Sequence, residues 1–168
     1  MAERVGQHDR DARPLLVRDE FLNRDWNAHA VACRRAAEDI LGSLDHTFLF
    51  TGAVKKIKQF IDEGALGDLL YYDSMRVNLG LFQHDVNVIW DLAPHDFAIM
   101  DFVIAEKPVA VTANGKAHFG NGLEDVAYVT AYFQSNVIAH FNVNWLSPVK
   151  VRNTLIGGEK KMLVWNDL

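Results

Sequence analysis

Residues 124–145, EDVAYVTAYFQSNVIAHFNVNW, decide the fold. Apolar residues recur with a period of two on both sides of Gln134-Ser135-Asn136, the mark of half-buried strands joined by a turn. In the second run Val137, Ala139, Phe141, Val143 and Trp145 point one way, and Ile138, His140, Asn142 and Asn144 the other. The first face belongs to a core; the second is polar without being charged. A solvated sheet face accounts for it. So does a face that meets another subunit or lines a cleft, where amides hydrogen-bond across the contact.

The same period continues outward. Segments 108–119, 149–157 and 161–165 read as strands, punctuated by Gly120-Asn121-Gly122, Ser147-Pro148 and Gly157-Gly158. Such short links favour antiparallel neighbours. Upstream, HTFLF (46–50) reads as a short strand. Residues 53–67 form an amphipathic helix with Val54, Ile57, Phe60 and Ile61 on one stripe, ended by Gly64 or Gly67. DLLYYDSMRVNL (68–79) is a strand and NVIW (87–90) a short apolar run. PHDFAIMDFVIAE (94–106) is a largely buried helix, with Pro94 at its first position. The expected fold is α+β: two helices on one face of a mostly antiparallel open sheet.

The chain has 168 residues, 49% of them hydrophobic, and a net charge of −5. That is ordinary for a folded cytosolic domain and argues against a nucleic-acid partner, which favours basic patches. No apolar run reaches the roughly 18–20 residues of a membrane helix, and no signal core follows Glu3 and Arg4. A cytoplasmic location is the expectation. Cys33 is the single cysteine, so no internal disulfide forms, and the histidine spacing points to no metal site.

Charge types change near residue 45. The first 45 residues hold seven arginines and no lysine, whereas the rest holds eight lysines and two arginines. Segment 1–28 has scattered charges and no sustained period, which reads as loop or disorder; 29–42 has the makings of a helix with a thin apolar face. The division expected is an atypical leader over 1–45 and a folded domain over 46–168.

The densest chemistry lies in Asn87-Val88-Ile89-Trp90-Asp91-Leu92-Ala93-Pro94-His95-Asp96. If 91–95 wind helically, the Asp91 carboxylate and His95 imidazole share one side. A carboxylate accepting one ring N–H fixes the tautomer and leaves the other nitrogen as a proton acceptor. A helix N-terminus disfavours imidazolium and Asp91 favours it, an opposition that keeps the ring poised near neutrality. Spacing alone also fits a structural reading, in which Asp91 or Asp96 caps the helix and His95 is a partly buried structural residue.

DLAPHDF, preceded by a helix ending in IDEGALGDL, resembles the C-terminal domain of the glucose–fructose oxidoreductase and inositol dehydrogenase family. HTFLF, LEDVAYVTAYF and VIAHFNVNWLSPVKVRNTLIGGEKKMLVWNDL extend the likeness over residues 46–168. It is similar above all to members acting on sugar nucleotides. The resemblance implies an NAD- or NADP-dependent oxidation of a ring hydroxyl, with His95 as general acid/base and Asp91 as its orienting partner. By the same analogy Arg76, Asn78 and Asn87 bind substrate hydroxyls or phosphates; sheet-edge or loop hydrogen bonding is the alternative for each. Lys150 and Arg152 meet a phosphate or simply line a solvated strand. The family's exposed sheet face commonly mediates assembly, which makes a homo-oligomer the expectation.

The sequence departs from the family in ways that matter. A dinucleotide-binding (Rossmann) domain opens with a strand, a GxGxxG-type turn and a helix, and nothing of the kind is present. Gly120-Asn121-Gly122 reads as a hairpin turn. Glu106-Lys107-Pro108 has the letters of the family's catalytic Glu-Lys-Pro motif but follows the wrong segment, so the lysine's role does not transfer to Lys107. Binding of NAD or NADP by this chain alone is therefore not expected. Residues 1–45 read as a segment out of frame with the family or as an unrelated leader, and the end at Leu168 as early for the domain. The expected function is the substrate-binding half of a sugar or sugar-nucleotide dehydrogenase. The alternative is a non-catalytic module that binds a sugar nucleotide or assembles through its sheet.

Overall fold

A computed structural model describes residues 51–79, 85–119 and 122–168. The chain divides into two units, 1–35 and 36–168, and every described residue lies in the second. The expected strand at 46–50 and helix at 29–42 lie outside the described residues, as do Gly120 and Asn121 of the expected turn.

Helix α1 (Gly52–Asp62) starts where Thr51 turns its hydroxyl back on the Val54 amide. It stops because Gly64, at φ 68°, takes the left-handed conformation: the Ala65 amide reaches back to the Phe60 carbonyl and that of Gly64 to Ile61. Strand β1 (Leu69–Val77) follows. Helix α2 (Val88–Ile104) then begins six residues before the proline taken from sequence as its first position. Asn87 is the reason: its side-chain oxygen accepts from the Trp90 amide, and NVIW becomes the first helical turn rather than a separate run. Pro94 therefore sits inside the helix, where it offers no N–H to the Trp90 carbonyl. The helix ends at Ala105, which occupies the left-handed region at φ 57° without being glycine.

Strands β2 (Ala110–Lys116), β3 (Val126–Tyr132), β4 (Ile138–Asn144), β5 (Val151–Gly158) and β6 (Met162–Asn166) complete an α+β fold. Among the described residues the sheet has six strands in the order β2-β3-β4-β1-β5-β6. All neighbours are antiparallel except β1 and β4, which run parallel. The Ser147-Pro148 link is not a hairpin: β1 lies between β4 and β5 and pairs with both.

Helix α2 packs on β4, β1 and β3, and α1 packs on α2, so both helices cover one face. Phe141 anchors that layer, with the Phe97 ring edge-on at 4.7 Å and Tyr72 tilted against it at 5.7 Å. As the alternation implies, Val137, Ala139, Phe141, Val143 and Trp145 are all buried.

The opposite face carries Tyr71, Asp73 and Met75 of β1 in register with Ile138, His140 and Asn142 of β4. Met75, Tyr128, Tyr132, Ile138 and Val164 are exposed there. His140 stacks on Tyr128 at 6.0 Å and meets the Asp73 carboxylate at 3.2 Å. Met75 is flanked in register by Asn142 and Asn153. The side-chain oxygens of both amides are shielded from solvent and accept no hydrogen bond among the described residues.

Candidate active site

The sequence singled out Asp91 and His95, and the helix carries both. An unbroken α2 from Val88 places them four residues apart on one stripe, Asp91 in the first turn and His95 one turn further in. This corrects the reason expected for the histidine's charge state. A helix dipole acts mainly within the terminal turn, and His95 lies beyond it. The ring is nevertheless held below its ordinary pKa, first by burial and then by the charge of Arg76, with Arg152 adding to the effect. Asp96 and Asp91 oppose it. At neutral pH the imidazole is therefore uncharged and able to accept a proton.

Two contacts fix the stripe, one part-buried and one buried. Asp91 receives the Trp145 indole N–H at 2.9 Å. Trp145, 1% exposed, follows β4 and is pinned by its own amide to the Asp125 carbonyl. Next to His95, Asp96 turns to the sheet and accepts two hydrogen bonds from Arg76 on β1, Nε to Oδ2 at 2.9 Å and Nη2 to Oδ1 at 2.7 Å. Both partners are nearly solvent-free, at 5% for Arg76 and 2% for Asp96. Burial alone would lower the guanidinium pKa, but hydrogen bonding and charge from Asp96 outweigh it and raise it. Tyr72 donates its hydroxyl to the Asp96 carbonyl at 3.5 Å; burial drives its pKa well up, so it is a neutral phenol.

The other residues named from sequence fall differently. Asn87 caps α2 and donates its amide to Glu124 Oε2 at 3.0 Å, so its side chain serves the helix start. Asn78, half-buried just beyond β1, ties its backbone amide to the Asn144 carbonyl. Arg152 lies directly opposite Arg76 on β5, with Asp167 Oδ2 at 3.8 Å. Lys150 is exposed. Lys107 sits between α2 and β2, paired with Asp101 at 2.6 Å. Sequence reading missed Trp145 and Asp96 as parts of the site. Trp145 read as core on alternation alone, and Asp96 read as a possible cap. Among the described residues no group of three or more His, Cys, Asp or Glu side chains is arranged to hold a metal. No helix there is long and apolar enough to cross a membrane.

A second carboxylate is also tightly held. Asp125 accepts from the His118 and Phe119 amides at 2.7 and 3.1 Å, and its other oxygen meets the His118 ring at 2.6 Å. Burial alone would raise its pKa, but these hydrogen bonds hold it below the ordinary carboxylate value. The adjoining Glu124 carbonyl accepts from the Val88 amide. The Glu124-Asp125 pair thus fastens both the start of α2 and Trp145.

The chain is thus an α+β domain whose helix-covered sheet carries a DxxxHD stripe on α2. Residues 54–164 match the family model described as GFO/IDH/MocA C-terminal domain, and the chain belongs to that family. Among solved structures it resembles a probable dehydrogenase from Thermotoga maritima, with a TM-score of 0.66 and 17% identity over 73% of this chain and 41% of that one. It also resembles scyllo-inositol dehydrogenase from Lactobacillus casei with bound NAD(H) and scyllo-inositol, with a TM-score of 0.63 and 16% identity over 75% and 42%. A third likeness is to UDP-N-acetylglucosamine 3-dehydrogenase GnnA from Acidithiobacillus ferrooxidans, with a TM-score of 0.56 and 21% identity over 68% and 39%. The chain thus spans about two-fifths of the length of these proteins. No curated protein matches the sequence.

Proposed function

We propose that this chain is the substrate-binding half of an NAD(P)-dependent sugar or sugar-nucleotide dehydrogenase, with His95 taking a proton from a ring hydroxyl and Asp91 orienting it. The observation that carries the proposal is the pinned stripe. His95 is held neutral on a helix whose flanking carboxylates are each fixed by a buried donor, Trp145 on Asp91 and Arg76 on Asp96. A base needs that combination of a defined position and a neutral ring. Asn78 is the proposed hydroxyl-binding residue. Arg76 and Asn87, with side chains engaged by Asp96 and by the helix start, shape the site instead. The sequence holds no GxGxxG-type turn, so no residue here is assigned to the nicotinamide, which in this reaction class carries the hydride.

The test is to follow amide and imidazole NMR signals while adding UDP-N-acetylglucosamine or, separately, scyllo-inositol. Perturbations are expected to converge on Asn78, Asp91 and His95, and NAD⁺ is expected to leave the spectrum unchanged. Sugar-induced shifts confined to other surfaces would overturn the assignment, and micromolar NAD⁺ affinity would overturn the expectation that these residues do not bind the cofactor.

The sheet face opposite the helices supports an additional role in assembly. Two shielded, unsatisfied amide oxygens at Asn142 and Asn153 around exposed Met75 are costly, about 1–3 kcal/mol each, unless donors reach them. A second copy of the chain laid on this face supplies such donors. Met75→Lys is expected to convert an oligomer to monomers in light scattering at about 100 µM; a wild-type monomer at that concentration refutes this role.

A further inference from the structure

Helix α2 has one residue whose burial is hard to account for by packing alone. Asp96 is a full carboxylate set 2% exposed against the sheet, directly after the proposed base. A buried acid–guanidinium pair is seldom the most stabilising filling of such a position, since removing both charges from water offsets much of their attraction. The pair does supply geometry. The Arg76 guanidinium forms a planar fork on both Asp96 oxygens, and that fork fixes the rotation of α2 about its own axis. Neighbouring residues on a helix are about 100° apart. With Asp96 locked to β1, His95 is directed to the flank of the helix, half-buried, on the stripe it shares with Asp91.

We infer that Arg76 and Asp96 are positioning residues for His95: the fork ties α2 to β1 beside the ring and so sets the direction of the imidazole. This rests on His95 being the base but makes a separate claim about what controls it. The charged groups acting on the ring are Arg76 from β1, Asp91 and Asp96 from α2, and Arg152 from β5; Tyr72 adjoins Asp96 and Asp167 adjoins Arg152. Arg76 lies in direct contact with Asp96, which adjoins His95 in the chain, so it is the cation placed to act through this pair. Arg152 is shared with Asp167 at 3.8 Å. The charge lowers the ring's affinity for a proton more than Asp96 restores it.

The experiment is an NMR titration of the His95 imidazole in the intact chain, assigned by loss of its signal in His95→Gln. In Arg76→Met the lowering charge is gone and Asp96 remains, so the His95 pKa is expected to rise. In Asp96→Asn the guanidinium is unopposed and the pKa is expected to fall. Shifts of opposite sign support the inference. A pair that only held the helix in place would, on losing either partner, loosen α2 and hydrate the ring. Both variants would then drift upward toward the ordinary value, and that result overturns the proposal. Arg76→Lys covers the case in which the methionine variant does not fold. It keeps a cation beside Asp96, so the pKa is expected to stay below the ordinary histidine value, and a rise to that value refutes control by charge. None of these readings depends on turnover. If the titrations behave as expected but sugars do not perturb His95, the functional assignment fails and the positioning pair stands.

Discussion

Alanine at Gly157 and alanine at Gly158 should differ sharply in cost, although the two residues are adjacent in β5. A Cβ at Gly158 falls 2.4 Å from the Leu66 carbonyl oxygen and 2.8 Å from the Leu66 Cβ. Neither can swing aside. Leu66 is 3% exposed, and its carbonyl accepts the Lys160 amide at 2.8 Å. Overpacking of this kind costs about 1–3 kcal/mol. Disturbing the hydrogen bond adds about 1 kcal/mol, and relief of glycine's conformational entropy in a strand returns about 0.5–1 kcal/mol. The net expectation for Gly158→Ala is about 1–3.5 kcal/mol. A Cβ at Gly157 is nominally worse placed, 2.1 Å from Tyr71 Cε1. That obstacle is the ring of a partly exposed side chain on the open face, held by a contact from its hydroxyl to Met162 Sδ. Rotating the ring away forfeits part of its packing, about 1–2 kcal/mol, less the same entropic relief, which leaves about 1 kcal/mol. Each kcal/mol corresponds to about 3–5 °C in Tm for a domain of this size. Urea melts followed by tryptophan fluorescence, with thermal melts by circular dichroism, should separate the two variants by about 1–2 kcal/mol. If Gly157→Ala proves equally or more damaging, the account of which neighbours can yield is wrong.

Three further outcomes are expected. Asn87→Ala removes the α2 cap and the contact to Glu124, and should cost about 1 kcal/mol or somewhat more. Amide exchange in the first turn of α2 should accelerate with it, and unchanged protection there would contradict the role. Ala105→Gly should stabilise by about 1 kcal/mol, because the C-cap at φ 57° burdens alanine and not glycine; a loss in urea stability would show that the Ala105 methyl group contributes packing. Asp125 titrates lower in the folded state than in the unfolded chain, so its stabilisation is full above the unfolded value, about pH 3.9, and fades as pH falls through the folded value. Asp125→Asn should therefore be less stable than wild type at pH 7, with the gap closing in strong acid. A pH-independent difference would refute that linkage.

The sheet was legible because its signal is local. Strands β3 and β4 each show their own alternation, and β4 declares its two faces without help from any partner. Four apolar letters such as NVIW fit a strand or a helical turn equally well, and the decision came from Asn87, whose capping bond is made only once the chain has turned. Pro94 then reads as a helix start by a rule that holds on average and fails where tertiary packing keeps a proline inside. The Asp91–His95 spacing was visible because it is four residues long. The supports of that pair were not, since Arg76–Asp96 and Trp145–Asp91 join positions 20 and 54 residues apart. Position of β1 in the sheet was hidden for the same reason: a short link after β4 resembles a hairpin, and no residue within it reports the strand that lies between.

That intervening strand has a consequence for how the chain must assemble. Strands β2 to β4 can close as a meander and β5–β6 as a hairpin, each from contacts near in sequence. No ladder in the described sheet joins these two parts except through β1, whose Tyr71 pairs with Ile138 on one side and Gly157 on the other. Closure over such separations is slow compared with hairpin formation. Until β1 enters, the nascent domain presents two open strand edges, and a second molecule's β1 fits the gap as well as its own. Exchange of that one segment between copies is the misassembly to which this topology is most open.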